Sequence, residues 1–258
     1  MSDKLTYTVD GHVAHLTINR PNRRNAIDLD VVRGLGEALA QAEADEDVRA
    51  VVLSGAGDRA FCAGADLGGM TASGKVGQHF ERAELGELLK QIRASRLPVI
   101  GRINGLALAG GFGLVLACDL VIAVDDAEFG TPEIDVGLWP FMITALIHRS
   151  VPRKASFEMM LTGRRISAEE GRQLGFVNRV VSRDELDSAV NELAEQIASK
   201  SPLVVSLGKR SFYKADGLPF EAALEYLAGM LTLCLESEDT VEGVSAFLEK
   251  RAPEWKGR

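Results

Sequence analysis

Three short runs rich in aliphatic and β-branched residues, Arg49 to Ser54, Val99 to Ile103 and Asp119 to Val124, recur with helical stretches between or after them. Strands of this kind are buried on both faces, the condition of parallel strands packed between helices. A helix from about Gln78 to Ala94 gathers Leu85, Leu88, Leu89 and Ile92 on one face. The chain opens with a hairpin, Leu5 to Val9 and His12 to Ile18 around the turn pair Asp10-Gly11. Asp28 is placed to cap a helix bearing Val31, Val32, Leu35 and Leu39. From about Phe141 the pattern is helical apart from a strand at Val177 to Val181, and Asp184 to Arg251 reads as three or four amphipathic helices. An α/β core with a helical end is the expected class.

A chain of 258 residues needs neither disulfide nor metal to hold together, since it buries roughly 70–75% of its unfolded surface. Its three cysteines, Cys62, Cys118 and Cys234, form no framework and no CxxC pair, and they read as small apolar residues of a reducing compartment. No run of 18 apolar residues and no basic-then-apolar leader is present, so the expected location is the cytoplasm, away from membranes. A net charge of −8 without a basic stripe argues against nucleic acid as a partner. No His, Cys, Asp and Glu spacing suits a metal, so none is expected.

The informative segments are two junctions made of the smallest residues: Ala63-Gly64-Ala65-Asp66 after the first apolar run and Ala109-Gly110-Gly111 after the second. Where a strand ends and a helix begins, backbone N–H groups lack partners and carry partial positive charge. Small side chains let a ligand reach those amides. Two such junctions side by side supply two donors to one oxygen, the arrangement of an oxyanion hole. Neither junction is a GxxxxGK[ST] phosphate loop, and no GxGxxG follows the first strand.

Several further segments stand in the same order. Arg20-Pro21 through Asn25-Ala26, Ala60 through Leu67, Pro98-Val99-Ile100 through Asn104-Gly105-Leu106-Ala107, Ala109-Gly110-Gly111, Cys118-Asp119, Phe129-Gly130 through Pro132-Glu133, and Leu161-Thr162-Gly163 resemble the enoyl-CoA hydratase/isomerase (crotonase) family. The resemblance extends to the terminal Lys250-Arg251 and Trp255-Lys256. It implies a crotonase-like α/β spiral of β-β-α units over residues 1–200, with a helical region over 201–258 that forms a homotrimer or a dimer of trimers. It also implies an acyl-CoA thioester substrate, coenzyme A being part of that substrate, and no prosthetic group.

Carried over by position, the oxyanion amides are those of Ala65 and Gly110, and Glu133 is the acid/base. The family's hydratases carry a second glutamate three residues past the oxyanion glycine; here that position is Gly113, which would leave room for a water. A hydratase commonly uses two carboxylates, whereas moving a double bond needs one base. Many members with these motifs are enoyl-CoA hydratases, so hydration of a 2-enoyl-CoA is the first expectation; the single carboxylate makes Δ3,Δ2-isomerisation the alternative, with a non-catalytic acyl-CoA-binding member the third. An apolar context around Glu133 would raise its pKa toward a working range.

The resemblance also places Arg24 and Arg23 beside the adenine and phosphates of CoA, with Arg24 first, and adds Ala63, Asp66, Leu67 and Lys256 to the cofactor-binding set. Asp135, two residues past Glu133, reads as a solvated or turn-capping residue, and would share the face of Glu133 only if the stretch were extended. Trp139-Pro140-Phe141-Met142 is expected to narrow the acyl pocket, where many hydratases have Pro-Gly-Ala-Gly-Gly. His79 and Lys250 are secondary candidates, and Phe247 and Trp255 read as helix-packing residues. No serine lies in a context suggesting an activated nucleophile.

Overall fold

The computed structural model describes residues 3–66 and 75–258, with backbone alone for 75–82. Strands β1 (Leu5–Asp10) and β2 (Val13–Ile18) form the hairpin, and the two-residue turn pairs Asp10 with Val13. Helix α1 (Leu29–Ala44) starts where Asp28 accepts the Val31 N–H at 3.1 Å, a cap worth about 1 kcal/mol. Strands β3 (Ala50–Gly55) and β4 (Ala60–Cys62) follow, then α2 (Lys75–Ala94), β5 (Val99–Ile103), β6 (Leu106–Leu108), α3 (Gly110–Ala117), β7 (Leu120–Val124) and β8 (Glu128–Gly130). The remainder comprises α4 (Phe141–Ser150), α5 (Arg153–Thr162), β9 (Arg165–Ser167), α6 (Ala168–Leu174), β10 (Arg179–Val181) and helices α7 to α10 (Leu186–Ala198, Pro202–Ala215, Phe220–Leu235, Glu238–Glu249).

Two sheets result. One has the order β1-β2-β3-β5-β7-β10 and the other β4-β6-β8-β9. Each turn of chain gives one strand to each sheet (β3 then β4, β5 then β6, β7 then β8), so the path is a spiral. All six residues of β3 are buried, as its doubly covered position requires. The second strand of each turn was expected only from the resemblance to a β-β-α spiral, because three-residue strands show no readable alternation. The Val177 to Val181 run is shortened to Arg179–Val181, since the Asn178 side-chain carbonyl accepts the Val121 N–H and occupies the approach to the sheet edge.

Buried amides tie the sheets together. Asn25, wholly buried, donates to the carbonyls of Ala56 and Ala60, and Asn104 donates to that of Gly57. Phe112 of α3 and Phe129 of β8 meet at 5.8 Å between ring centroids, and Phe176 closes the group at 5.3 and 5.2 Å. The helical end is pinned by Lys209 of α8, whose Nζ donates to the carbonyls of Ile92 and Leu97 and pairs with Asp119 at 2.7 Å. Burial pulls this ammonium below the usual lysine range while Asp119 opposes the shift. Removing one partner from such a buried pair costs about 3–5 kcal/mol. No helix among the described residues is long and apolar enough to cross a membrane.

Candidate active site

The three segments singled out for chemistry leave the small sheet at one edge. Strands β4, β6 and β8 are parallel neighbours, pairing Cys62 with Ala107 and Leu108 with Gly130. Ala63–Ala65, Ala109–Gly110 and Thr131–Glu133 therefore emerge from adjacent carboxyl ends, where open α/β sheets bind ligands.

Ala65 pairs with Ile27 in an isolated parallel bridge. Ile27 donates to the Gly64 carbonyl at 2.8 Å and accepts from Asp66 at 2.9 Å, so the Ala65 N–H points to the other side of the chain. Ala109 has φ 52° and ψ −126°, a conformation that ordinarily belongs to glycine and costs about 1–3 kcal/mol. It is held there from both sides: its N–H donates to Gly130 at 2.9 Å and its carbonyl accepts from Gly113 at 3.1 Å. The reversal makes Gly110 the first residue of α3, with an N–H that has no intrahelical partner. Gly64, at φ +93°, lets the two loops touch. A Cβ there would lie 2.7 Å from the Ala109 Cβ, 3.0 Å from the Leu108 carbonyl and 3.6 Å from the Gly110 nitrogen.

Glu133 stands in a 3-10 turn, Pro132–Val136, and is half-buried. Its Oε2 is out of solvent and without a hydrogen-bond partner among the described residues. Burial holds its carboxyl above the usual carboxylate range, offset only in part by its own backbone N–H. An acid so desolvated at a sheet edge is what a general acid/base requires. Two residues earlier the hydroxyl of Thr131, wholly buried, is likewise unpartnered among the described residues. Cys62, next to the first loop, is not a nucleophile, because burial pushes its thiol up to about 12.

Around this edge the expectations divide. Asp66 is held by the Arg20 guanidinium at 2.8 Å, with Arg23 at 3.8 Å, so Arg23 lies beside the Ala63–Asp66 loop. Arg20, 13% exposed, also pairs with Asp28 and donates to the Ala26 carbonyl. Its role as loop anchor was missed, although it stands within the quoted Arg20-Pro21 motif. Arg24 touches the loop through its carbonyl, which accepts the Ala63 N–H at 3.0 Å. It also lines a cavity of about 330 Å³ with Arg59, Leu106, Asp126, Glu128 and Arg165, beside the starts of β4, β6 and β8 rather than their ends. Lys256 sits on the C-terminal tail, where its Nζ pairs with Glu238 at 3.1 Å. Leu67 and the side chain of His79 lie outside the described residues.

Of the remaining expectations, those for Phe247 and Gly113 need correction. Asp135 is the exposed turn residue it was read as: the segment is a 3-10 turn, in which residues two apart point about 120° from one another, and Asp135 is turned toward Gly163. Within Trp139 to Met142, Trp139 packs on the core while Phe141, opening α4, is 79% exposed. Phe247 does not pack within the chain, being 82% exposed, whereas Trp255 does, its indole donating to the Ser199 carbonyl at 2.8 Å. Gly113 leaves no room for a water, because Ile143 lies directly over it.

A family model described as Enoyl-CoA hydratase/isomerase matches residues 8–258. The chain is 38% identical to the carnitinyl-CoA dehydratase of Proteus mirabilis and 36% identical to that of Salmonella typhi, in both cases over 100% of each chain. Among solved structures it is similar to an enoyl-CoA hydratase of Mycobacterium smegmatis, with a TM-score of 0.94 at 38% identity over 98% of this chain and 99% of that one. An enoyl-CoA hydratase of Bacillus anthracis aligns with a TM-score of 0.95 at 32% identity, covering 99% and 100%.

Proposed function

This chain belongs to the enoyl-CoA hydratase/isomerase family as a lyase-type acyl-CoA enzyme of crotonase fold, and on that premise we propose that Glu133 runs its chemistry on a 2-enoyl-CoA thioester. The observation that carries the reading is the buried Oε2 of Glu133, unpartnered among the described residues, on the strand edge that also bears the Ala65 and Gly110 amides. The thioester oxygen accepts from those two N–H groups. Charge that develops on it in an enolate is met by donors already in place, each worth about 3–4 kcal/mol in comparable sites. In hydration, Glu133 takes a proton from water as the water oxygen bonds to C3 and the electron pair moves to the thioester oxygen. The enolate then returns, and C2 takes the proton from Glu133. Dehydration is the same path reversed. No prosthetic group takes part. Arg23, Arg24, Ala63, Asp66, Leu67 and Lys256 are the residues assigned to the CoA moiety.

A second reading, shift of a double bond from C3 to C2, is favoured by Gly113, where no carboxylate stands. Crotonyl-CoA incubated with the protein is expected to gain the mass of one water. If 3-hexenoyl-CoA alone reacts, at constant mass, the isomerase reading replaces it. Tight binding with no product from any enoyl-CoA would sink both.

The reading includes self-association of the 201–258 region in the cytoplasm. Helix α9 has no buried residue, and Phe220, Leu224, Leu231, Leu235 and Phe247 stand exposed on α9 and α10. An apolar surface of this extent marks an interface. Light scattering should give three or six times the 27.8 kDa chain mass; a monomer at micromolar concentration would refute the assignment.

A further inference from the structure

The first turn of α3 presents an aliphatic surface beside the site. Gly113 lies three residues past Gly110, hence on nearly the same face of the helix. A Cβ built on Gly113 would overlap the Cγ2 methyl of Ile143, lie 3.2 Å from that residue's Cβ, and have Leu89 Cδ1 at 3.9 Å. One turn earlier, a Cβ on Gly110 would meet Ile27 Cδ1 at 3.2 Å and Leu85 Cδ2 at 3.3 Å. Ile27, Leu89 and Ile143 are all nearly excluded from solvent. A buried water needs two to four polar partners. These four side chains offer none, so position 113 holds neither an acid nor a site for water.

We propose that Ile143 is a specificity-determining residue. It fills the volume that a second carboxylate would take, confines proton transfer to Glu133, and so holds back addition of water relative to shift of a double bond. The proposal rests on Glu133 being the acid/base. In the shift, the C2–H bond of a 3-enoyl thioester breaks, its proton passes to the Glu133 carboxylate, and its electron pair spreads to the thioester oxygen. The same carboxyl then protonates C4, leaving the double bond between C2 and C3. No water enters, and one carboxyl serves both steps. Hydration asks for more, because a water must be oriented at C3 while a proton is delivered to C2.

The test feeds 3-hexenoyl-CoA to four proteins: the natural chain, Gly113→Glu, Ile143→Gly, and the double variant. Chromatography with mass detection separates 2-hexenoyl-CoA, unchanged in mass, from the 3-hydroxyacyl product, heavier by one water. The ratio of hydrated to shifted product is expected to rise at least tenfold in the double variant and in neither single one. The cavity left by Ile143→Gly alone stays apolar and dry, and Gly113→Glu alone cannot seat its side chain. A double variant that still shifts the bond at an unchanged ratio overturns the proposal, as does Gly113→Glu alone matching it. Thermal unfolding supplies a second readout independent of turnover: Gly113→Ala and Ile143→Gly should lose less stability together than the sum of their separate losses. Additive losses would mean that the contact is not limiting and would refute the role of Ile143. A natural chain that hydrates crotonyl-CoA but leaves 3-hexenoyl-CoA unchanged also overturns the proposal, whereas one that converts neither substrate overturns the reading of Glu133, which distinguishes the two failures.

Discussion

Glu133→Gln is expected to bind acyl-CoA with little change and to lose about 10²–10⁴-fold in turnover, the usual contribution of a positioned acid/base. The amide keeps the shape of the side chain and removes only its capacity to carry a proton. The same substitution should alter stability in a direction a surface glutamate would not. Because burial raises the folded-state pKa of Glu133 above its unfolded value of 4.5, the protonated form favours folding. That contribution is fully present below pH 4.5 and is lost as pH rises through the raised folded value. At neutral pH the natural protein carries the cost of a desolvated carboxylate, and the glutamine variant does not. Its unfolding midpoint should therefore exceed that of the natural protein at pH 8, with the gap narrowing on acidification toward pH 5. Turnover of the natural protein in the direction that needs the free base should fall over the same window. A variant that retains more than a few per cent of turnover, or a stability difference independent of pH, would remove Glu133 from the centre of the chemistry.

Gly64→Ala should damage both stability and catalysis, because two constraints coincide at this glycine. Its φ of +93° is strained for any side chain, and the added methyl would meet the Ala109 Cβ and the Leu108 carbonyl at once. Backbone strain and overpacking each cost about 1–3 kcal/mol. Separating the loops would also pull the Ala65 amide away from that of Gly110, and loss of one oxyanion donor lowers turnover about 10²–10³-fold. Thermal unfolding and steady-state rates measure the two effects separately. Normal turnover in a Gly64→Ala protein would show that the contact between the loops does not set the spacing of the donors.

Much of this site was readable before any coordinates. The β-branched runs marked β3, β5 and β7, because a strand buried on both faces must be apolar throughout. Asp28 announced α1 through the chemistry of its carboxylate. The small-residue junctions marked loops that leave amides accessible, and Glu133 stood out by its place in a motif. Other parts were hidden for identifiable reasons. Strands β4, β6, β8 and β9 have three residues each, too few for a period, and they exist because neighbouring turns of the spiral pair with one another. The side to which Asp135 points was open because the backbone tightens into a 3-10 turn after Pro132, a local choice that spacing does not reveal. Arg20 carried no visible role until Asp66, 46 positions away, arrived beside it.

The order of residues thus determined the class of fold and the two small-residue loops, because each depends on periodicity or residue size read over short distances, while Glu133 was singled out only through the resemblance to a family. What surrounds position 113 depends instead on contacts between segments far apart in the chain. Gly113 and Ile143 are 30 positions apart and belong to different helices, so an empty position in the sequence becomes a filled one in space. Close packing leaves no void at a glycine unless its neighbours leave one, and here the Ile143 methyl does not.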